Sequence, residues 1–134
     1  MKLEEVEIHL SFESYSDCED SLMIRDVIKQ HPDKYWKKGD KIFSKLDGSE
    51  VGEYRYAKCS YFKASRYNDL DENLIEFFEI FIPYESDLVK LVQEKNITTL
   101  LTIVFKDRSE FLAFSFNTRI LKFLCRLEAV IEVT

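Results

Sequence analysis

Val6, Ile8, Leu10 and Phe12 alternate with Glu7, His9, Ser11 and Glu13. An extended chain points successive side chains to opposite faces, so this period of two predicts a half-buried strand. Met23, Ile24, Val27 and Ile28 then recur at helical spacing behind Ser16-Asp17-Cys18-Glu19, which has the form of a capping box. Pro32, with no N–H to donate, stops that helix. Tyr35 to Phe43 reads as a short strand or irregular chain, and Asp47-Gly48 as a turn within Leu46 to Gly52. Tyr54 to Ser65, rich in rings, predicts another strand.

From Asp69 the period changes to that of a helix beginning at Asn68 or Asp69. On a wheel at about 100° per residue, Leu70, Leu74, Phe77, Phe78 and Phe81 fall on one side. Asp69, Glu72, Glu76 and Glu79 fall on the other. Pro83 lies inside the periodic pattern, where it removes a hydrogen bond and meets the Glu79 carbonyl, so a break is expected there. Ser86 is then the expected cap of a second helix through Leu88, Leu91 and Val92, ending at Asn96. Thr98 to Phe105 predicts a strand with Leu101, Ile103 and Phe105 on one face. Asp107-Arg108-Ser109 connects it to a strand Phe111 to Phe116, a hairpin. Ser115 or Asn117 caps a last helix carrying Ile120, Leu121, Phe123, Leu124 and Leu127, and Val130 to Val133 is a final short strand. The order is β-α-(β)-β-α-β-β-α-β. It predicts one α+β domain over 1–134, with helices on one face of a largely antiparallel sheet.

The pattern resembles a bacterial family described as domain of unknown function 4279, from about Val6 to Val133. The residues that carry the resemblance are Glu7-Ile8-His9-Leu10-Ser11-Phe12, then Trp36-Lys37-Lys38-Gly39-Asp40. Leu74-Ile75-Glu76-Phe77-Phe78 follows, leading through Pro83 to Leu88-Val89-Lys90-Leu91, and Ile120 to Ala129 closes the match. Ser14-Tyr15-Ser16 and Tyr61-Phe62 depart from the family, which tends to carry Gly and Trp there. The resemblance implies an α+β fold in a small bacterial protein and supplies no activity. Small proteins of this kind are similar to immunity partners of bacterial toxins by analogy.

Composition narrows the chemistry. A chain of 134 residues suits a single core, and 46% apolar residues with 11 Phe supply one. The net charge of −6 is segregated. Met1 to Asp20 carries seven acids and one base, Ser21 to Asn68 eleven bases and six acids, and Asp69 to Glu94 eight acids and one base. Acidic blocks oppose nucleic acid and anionic membranes. No apolar run approaches the roughly 18–20 residues of a membrane span. The opening Met1-Lys2-Leu3-Glu4-Glu5 is too polar for a signal peptide. Cys18, Cys59 and Cys125 are odd in number and far apart, which suits a reducing cytoplasm, with Cys125 expected in the core.

No catalytic or metal motif stands out, so no enzyme activity, metal or cofactor is expected. His9 and His31 are not at ligand spacing from any Cys. A Cys59/His9 pair across a sheet is conceivable without support from spacing. Gly39, Gly48 and Gly52 form no phosphate loop. Lys34, Tyr35, Trp36, Lys37, Lys38, Tyr54, Arg55, Tyr56, Lys58, Tyr61, Lys63 and Arg66 interleave charge with rings. This suggests an alternative: a module for small molecules or single-stranded nucleic acid.

Weighing these, the leading expectation is a small acidic cytoplasmic binding protein. It would be an immunity protein that neutralises a cognate toxin of basic surface by covering its active site. Asp69, Asp71, Glu72, Glu76 and Glu79 are the expected contacts, with Asp17, Glu19 and Asp20 as a second patch. Trp36 or Tyr84 would serve as an exposed anchor. Acids in the first turn of a helix also stabilise its dipole, so the stripe by itself fits an ordinary solvated face.

Overall fold

A computed structural model of the chain describes residues 5–15, 23–106 and 115–134. β1 (Val6–Ser14) is the central strand. Its even positions, Val6 to Phe12, are buried, as the period of two requires. It pairs antiparallel with β5 (Ala57–Ser65) on one side and β6 (Thr98–Phe105) on the other. β2 (Lys34–Trp36) lines the outer edge of β5, and β7 (Val130–Val133) runs parallel to β6, giving the order β2-β5-β1-β6-β7. β3 (Lys41–Phe43) and β4 (Glu50–Glu53) form a separate two-stranded hairpin.

β1 and β2 are both antiparallel to β5, so they run parallel with β5 between them. β5 and β6 likewise run parallel with β1 between them. These two interlocked units, with their helices, have the connectivity of the ferredoxin-like arrangement. The chain adds the β3–β4 hairpin, a second helix before β6, and a closing helix-strand unit. The parallel β6–β7 pair needs a crossover, and α4 (Thr118–Arg126) lies within it.

α1 (Met23–Ile28), α2 (Leu70–Phe78), α3 (Glu85–Glu94) and α4 all send side chains into one hydrophobic core. That core uses Val6, Ile8, Leu10 and Phe12 of β1 with Leu101 and Ile103 of β6, so the helices cover one face of the sheet. Phe77, Phe78, Phe81 and Phe123 sit at its centre, at most 1% exposed, with edge-to-face contacts among them. Tyr61 is also in the core and donates its hydroxyl to the Gln30 carbonyl at 2.7 Å. Burial pushes that phenol far above its ordinary range.

The predicted α+β layer is present, and several local expectations need correction. The middle of the chain holds three short strands where one doubtful strand was expected. A 3₁₀ turn, Tyr67–Asp69, precedes α2, which begins at Leu70. The break at Pro83 is present: α2 ends at Phe78, and a 3₁₀ turn, Ile82–Tyr84, accommodates the proline where its missing N–H costs little. Ser86 does not cap α3. The helix continues directly from that turn, and its N-cap, Tyr84, makes no side-chain cap bond. Lys29, not Pro32, marks the end of α1, with φ of 58°. Asn96 and Glu128 end α3 and α4 with φ of 54° and 53°; Ile97 and Ala129 donate back to the Val92 and Leu124 carbonyls. Cys125 is exposed, because it lies off the Ile120, Phe123, Leu124 stripe that α4 buries. The capping box at Ser16–Glu19, the turn at Asp107–Ser109 and most of the strand expected at Phe111–Phe116 lie outside the described residues.

Candidate functional site

Helix α2 separates its side chains as the wheel requires. Leu70, Leu74, Phe77 and Phe78 are buried against the sheet, while Asp71, Glu72, Glu76 and Glu79 are exposed. At about 100° per residue Glu72, Glu76 and Glu79 share one edge of the helix, which a partner would meet as a negative surface, and Asp71 stands apart from them. They are not equivalent. Asp69 is half-buried and forms an ion pair with Arg66 at 2.8 Å; Glu76 receives Lys63 of β5 at 3.3 Å. Asp71, Glu72 and Glu79 form no ion pair with any described residue.

Ile75 interrupts the stripe. Its side chain, 42% exposed, lies one position outside the buried face of α2. Glu72 and Glu79, three and four residues away, are its neighbours on the helix surface. Beside it opens a cleft of about 470 Å³, lined by Ile75, Glu79, Ile82, Pro83, Arg119 and Ile120 together with Asn117. The bend at Pro83 places Ile82 there, and the start of α4 supplies the far wall. Arg119 pairs with Glu85 of α3 at 2.6 Å and forms no ion pair with Glu79. The same Glu85 carboxylate receives Arg126 from the other end of α4. Sequence reasoning finds the acids and misses the cleft. An isoleucine set among glutamates, off the core stripe, is the one signal that could have found it.

Trp36, expected as an exposed anchor, is only 9% exposed, which corrects that expectation. It stands opposite Lys58 on the sheet face away from the helices. Its ring stacks on Tyr54 at 4.0 Å and 15°, meets the edge of Tyr56, and lies beneath the ammonium groups of Lys34 and Lys58 at 5.4 and 5.2 Å. Tyr56 in turn stacks with Tyr15 at 5.1 Å. The rings of the basic middle segment are largely occupied by one another, and Tyr61 is in the core. Tyr84 is half-buried and packs against the core. Asp17, Glu19 and Asp20, the second acidic patch, lie outside the described residues.

Strand register settles the Cys59/His9 arrangement. Cys59 faces Phe12 in the core, whereas His9 faces Phe62 on the opposite side of the sheet. The two cannot form a nucleophile–base pair. His9 instead contacts Glu7 at 3.1 Å and the Phe62 ring at 5.0 Å. That contact, joined by Lys106, holds the Glu7 carboxyl below its usual range. His31 is exposed, edge-on to Tyr35. Among the described residues no group of three or more His, Cys, Asp or Glu is placed to hold a metal ion. No described helix is long and apolar enough to cross a membrane.

Fold and surface together define a small α+β protein with a carboxylate stripe beside an apolar cleft. Residues 5–134 match the family model described as domain of unknown function (DUF4279). The chain therefore belongs to that family. It matches no curated protein and no solved structure.

Proposed function

We propose that this chain is a binding protein that engages a basic protein partner through the outer face of α2. In this reading it acts as an immunity protein in the cytoplasm, neutralising a cognate bacterial toxin by covering its active site. The observation that carries it is the exposure of Glu72, Glu76 and Glu79 along one edge of α2, with Asp71 exposed further round the same helix. Asp71, Glu72 and Glu79 have no ion-pair partner among the described residues. A toxin that acts on phosphate-bearing substrates has a positive cleft. A fixed row of carboxylates is drawn to such a cleft quickly and competes with substrate for the same field. Asp69 and Glu76 contribute less than Glu72 and Glu79, because Arg66 and Lys63 already pair with them.

The test is capture of the products of the neighbouring genes on the immobilised chain, repeated with Glu72→Lys and Glu76→Lys combined. Both side chains are exposed, so the double variant is expected to fold, at a cost of about 1 kcal/mol because Glu76→Lys sets a second ammonium against Lys63. A cognate toxin is expected to bind the natural chain and to lose at least tenfold in affinity on the reversal. Unchanged capture would remove α2 from the interface.

A further inference from the structure

The cleft beside Ile75 has a different chemistry from the carboxylates around it, and that difference specifies what can dock there. Its floor is aliphatic: Ile75 from α2, Ile82 and Pro83 from the bend, and Ile120 from α4. Its rim on the α2 side is Glu79, with Glu72 and Glu76 continuing along the same helix. The cation in its lining, Arg119, pairs with Glu85, a carboxylate it shares with Arg126, so the α4 wall keeps some positive charge opposite the acidic α2 rim. Water is a poor occupant of an aliphatic floor, and the carboxylates on the α2 side of the rim favour a cation there over an anion. From Asp69 to Glu79 the stripe runs about 15 Å along the helix direction, the length of about ten helical residues.

We propose that this cleft seats an apolar anchor residue carried on a basic amphipathic segment of the protein partner. The inference rests on the reading of α2 as an interface and adds what that reading lacks. Carboxylates alone give attraction and rate. A desolvated apolar anchor in a shaped pocket gives retention and discrimination among basic partners. Ile75 is the residue that joins the two functions, because Glu72 and Glu79 flank it on the helix surface. The partner segment places Lys or Arg opposite Glu72, Glu76 and Glu79, and a Leu-, Met- or Phe-sized side chain between Ile75 and Ile120.

Two helical peptides of equal length and charge separate the contributions, one with Lys on one face and Leu on the other, the second with Ala in place of Leu. Each is titrated into the full chain at low salt by calorimetry, with amide NMR shifts recorded. The Lys/Leu peptide is expected to bind at least tenfold more tightly, with shifts clustered at Ile75, Ile82 and Ile120. Ile75→Ser removes a partly exposed side chain and leaves the fold intact. It is expected to reduce the Lys/Leu affinity to that of the Lys/Ala peptide. Equal affinity for the two peptides, or no effect of Ile75→Ser, overturns the anchor. If Glu72→Lys with Glu76→Lys still weakens both peptides in that case, the acidic surface stands and only the cleft is lost. If the charge reversal also changes nothing, the reading of α2 falls with it. A dimer in sedimentation that Ile75→Ser dissociates would assign the cleft to a second copy of the chain and also overturn the proposal.

Discussion

The Glu85 carboxylate accepts a hydrogen bond from the Arg119 guanidinium at 2.6 Å, tying the first turn of α3 to the first turn of α4. Arg126, in the last turn of α4, reaches the other oxygen of the same carboxylate. One acid therefore fixes both ends of a helix. The geometry is asymmetric in exposure: the Glu85 side chain is 11% exposed, the two arginines 49% and 48%. The acid has lost most of its water and depends on the arginines, whereas the arginines keep much of theirs.

Glu85→Gln is expected to lower stability by about 1 kcal/mol. Charge-assisted hydrogen bonds are worth more than that when buried, but the half-exposed arginines call for a discount. The melting temperature should fall by about 4 °C for a chain of this size. The effect depends on pH with a definite sign. Burial alone would raise the Glu85 carboxyl, and the hydrogen bonds and charges of Arg119 and Arg126 overcome it, leaving it below the ordinary 4.5. A group lowered in the folded state stabilises fully above its unfolded value and loses that contribution as pH falls through the folded one. Urea midpoints of the natural chain and the variant should differ most above about pH 5 and converge in more acid solution. A constant difference across that range would refute this role for Glu85.

What the sequence makes legible follows from periodicity. The alternation in Val6 to Glu13 and the stripes at Leu70 to Phe81 and Ile120 to Leu127 are long enough to fix both the element and its buried face, and the structure places them so. Local rules fail where a neighbouring element overrides them. Ser86 has the chemistry of a cap, but the turn at Pro83 already delivers the chain in helical conformation at Glu85. Cys125 is apolar within an apolar run, but the α4 stripe turns it outward. Trp36 looks like an anchor because its hydrophilic neighbours are sequence neighbours; in space its neighbours are Tyr54 and Tyr56, brought in by the β3–β4 hairpin. The acids of the candidate interface were readable from one helix. The cleft was not, because Ile75, Ile82 and Ile120 come together only through the bend and α4.

Trp36 is the single tryptophan, so its emission reports on the aromatic cluster directly. Its stack on Tyr54 and its low exposure predict weak quenching by acrylamide. Titration with single-stranded oligoribonucleotide at low salt is expected to leave the emission unchanged, since base stacking needs an open ring face. Salt-sensitive quenching on titration would revive the nucleic-acid alternative and would place it at Lys34, Trp36 and Lys58.

The two described cysteines should react very differently with a thiol reagent. Cys125 is exposed on α4, whereas Cys59 is 1% exposed in the core beneath α1 to α4. Brief labelling of the folded chain, read by peptide mass spectrometry, is expected to modify Cys125 and spare Cys59. Labelling in urea should modify both. Rapid native labelling of Cys59 would contradict the packing of β5 against the helices.

Asn117 bears on both the stability of α4 and the wall of the cleft. Its side-chain carbonyl accepts the Ile120 N–H at 2.8 Å, satisfying one of the free donors at the start of the helix. Asn117→Ala is expected to cost about 1 kcal/mol, and Asn117→Ser much less, because a hydroxyl can accept the same bond. Ile120 is 1% exposed and anchors α4 in the core, so fraying of the first turn would also disturb the cleft that Ile120 floors. The alanine variant should therefore show faster amide exchange at Arg119 to Leu121 and weaker binding of the Lys/Leu peptide, with the serine variant close to the natural chain in both. Equal urea midpoints for the alanine variant and the natural chain would mean that the cap contributes nothing to holding α4 in place.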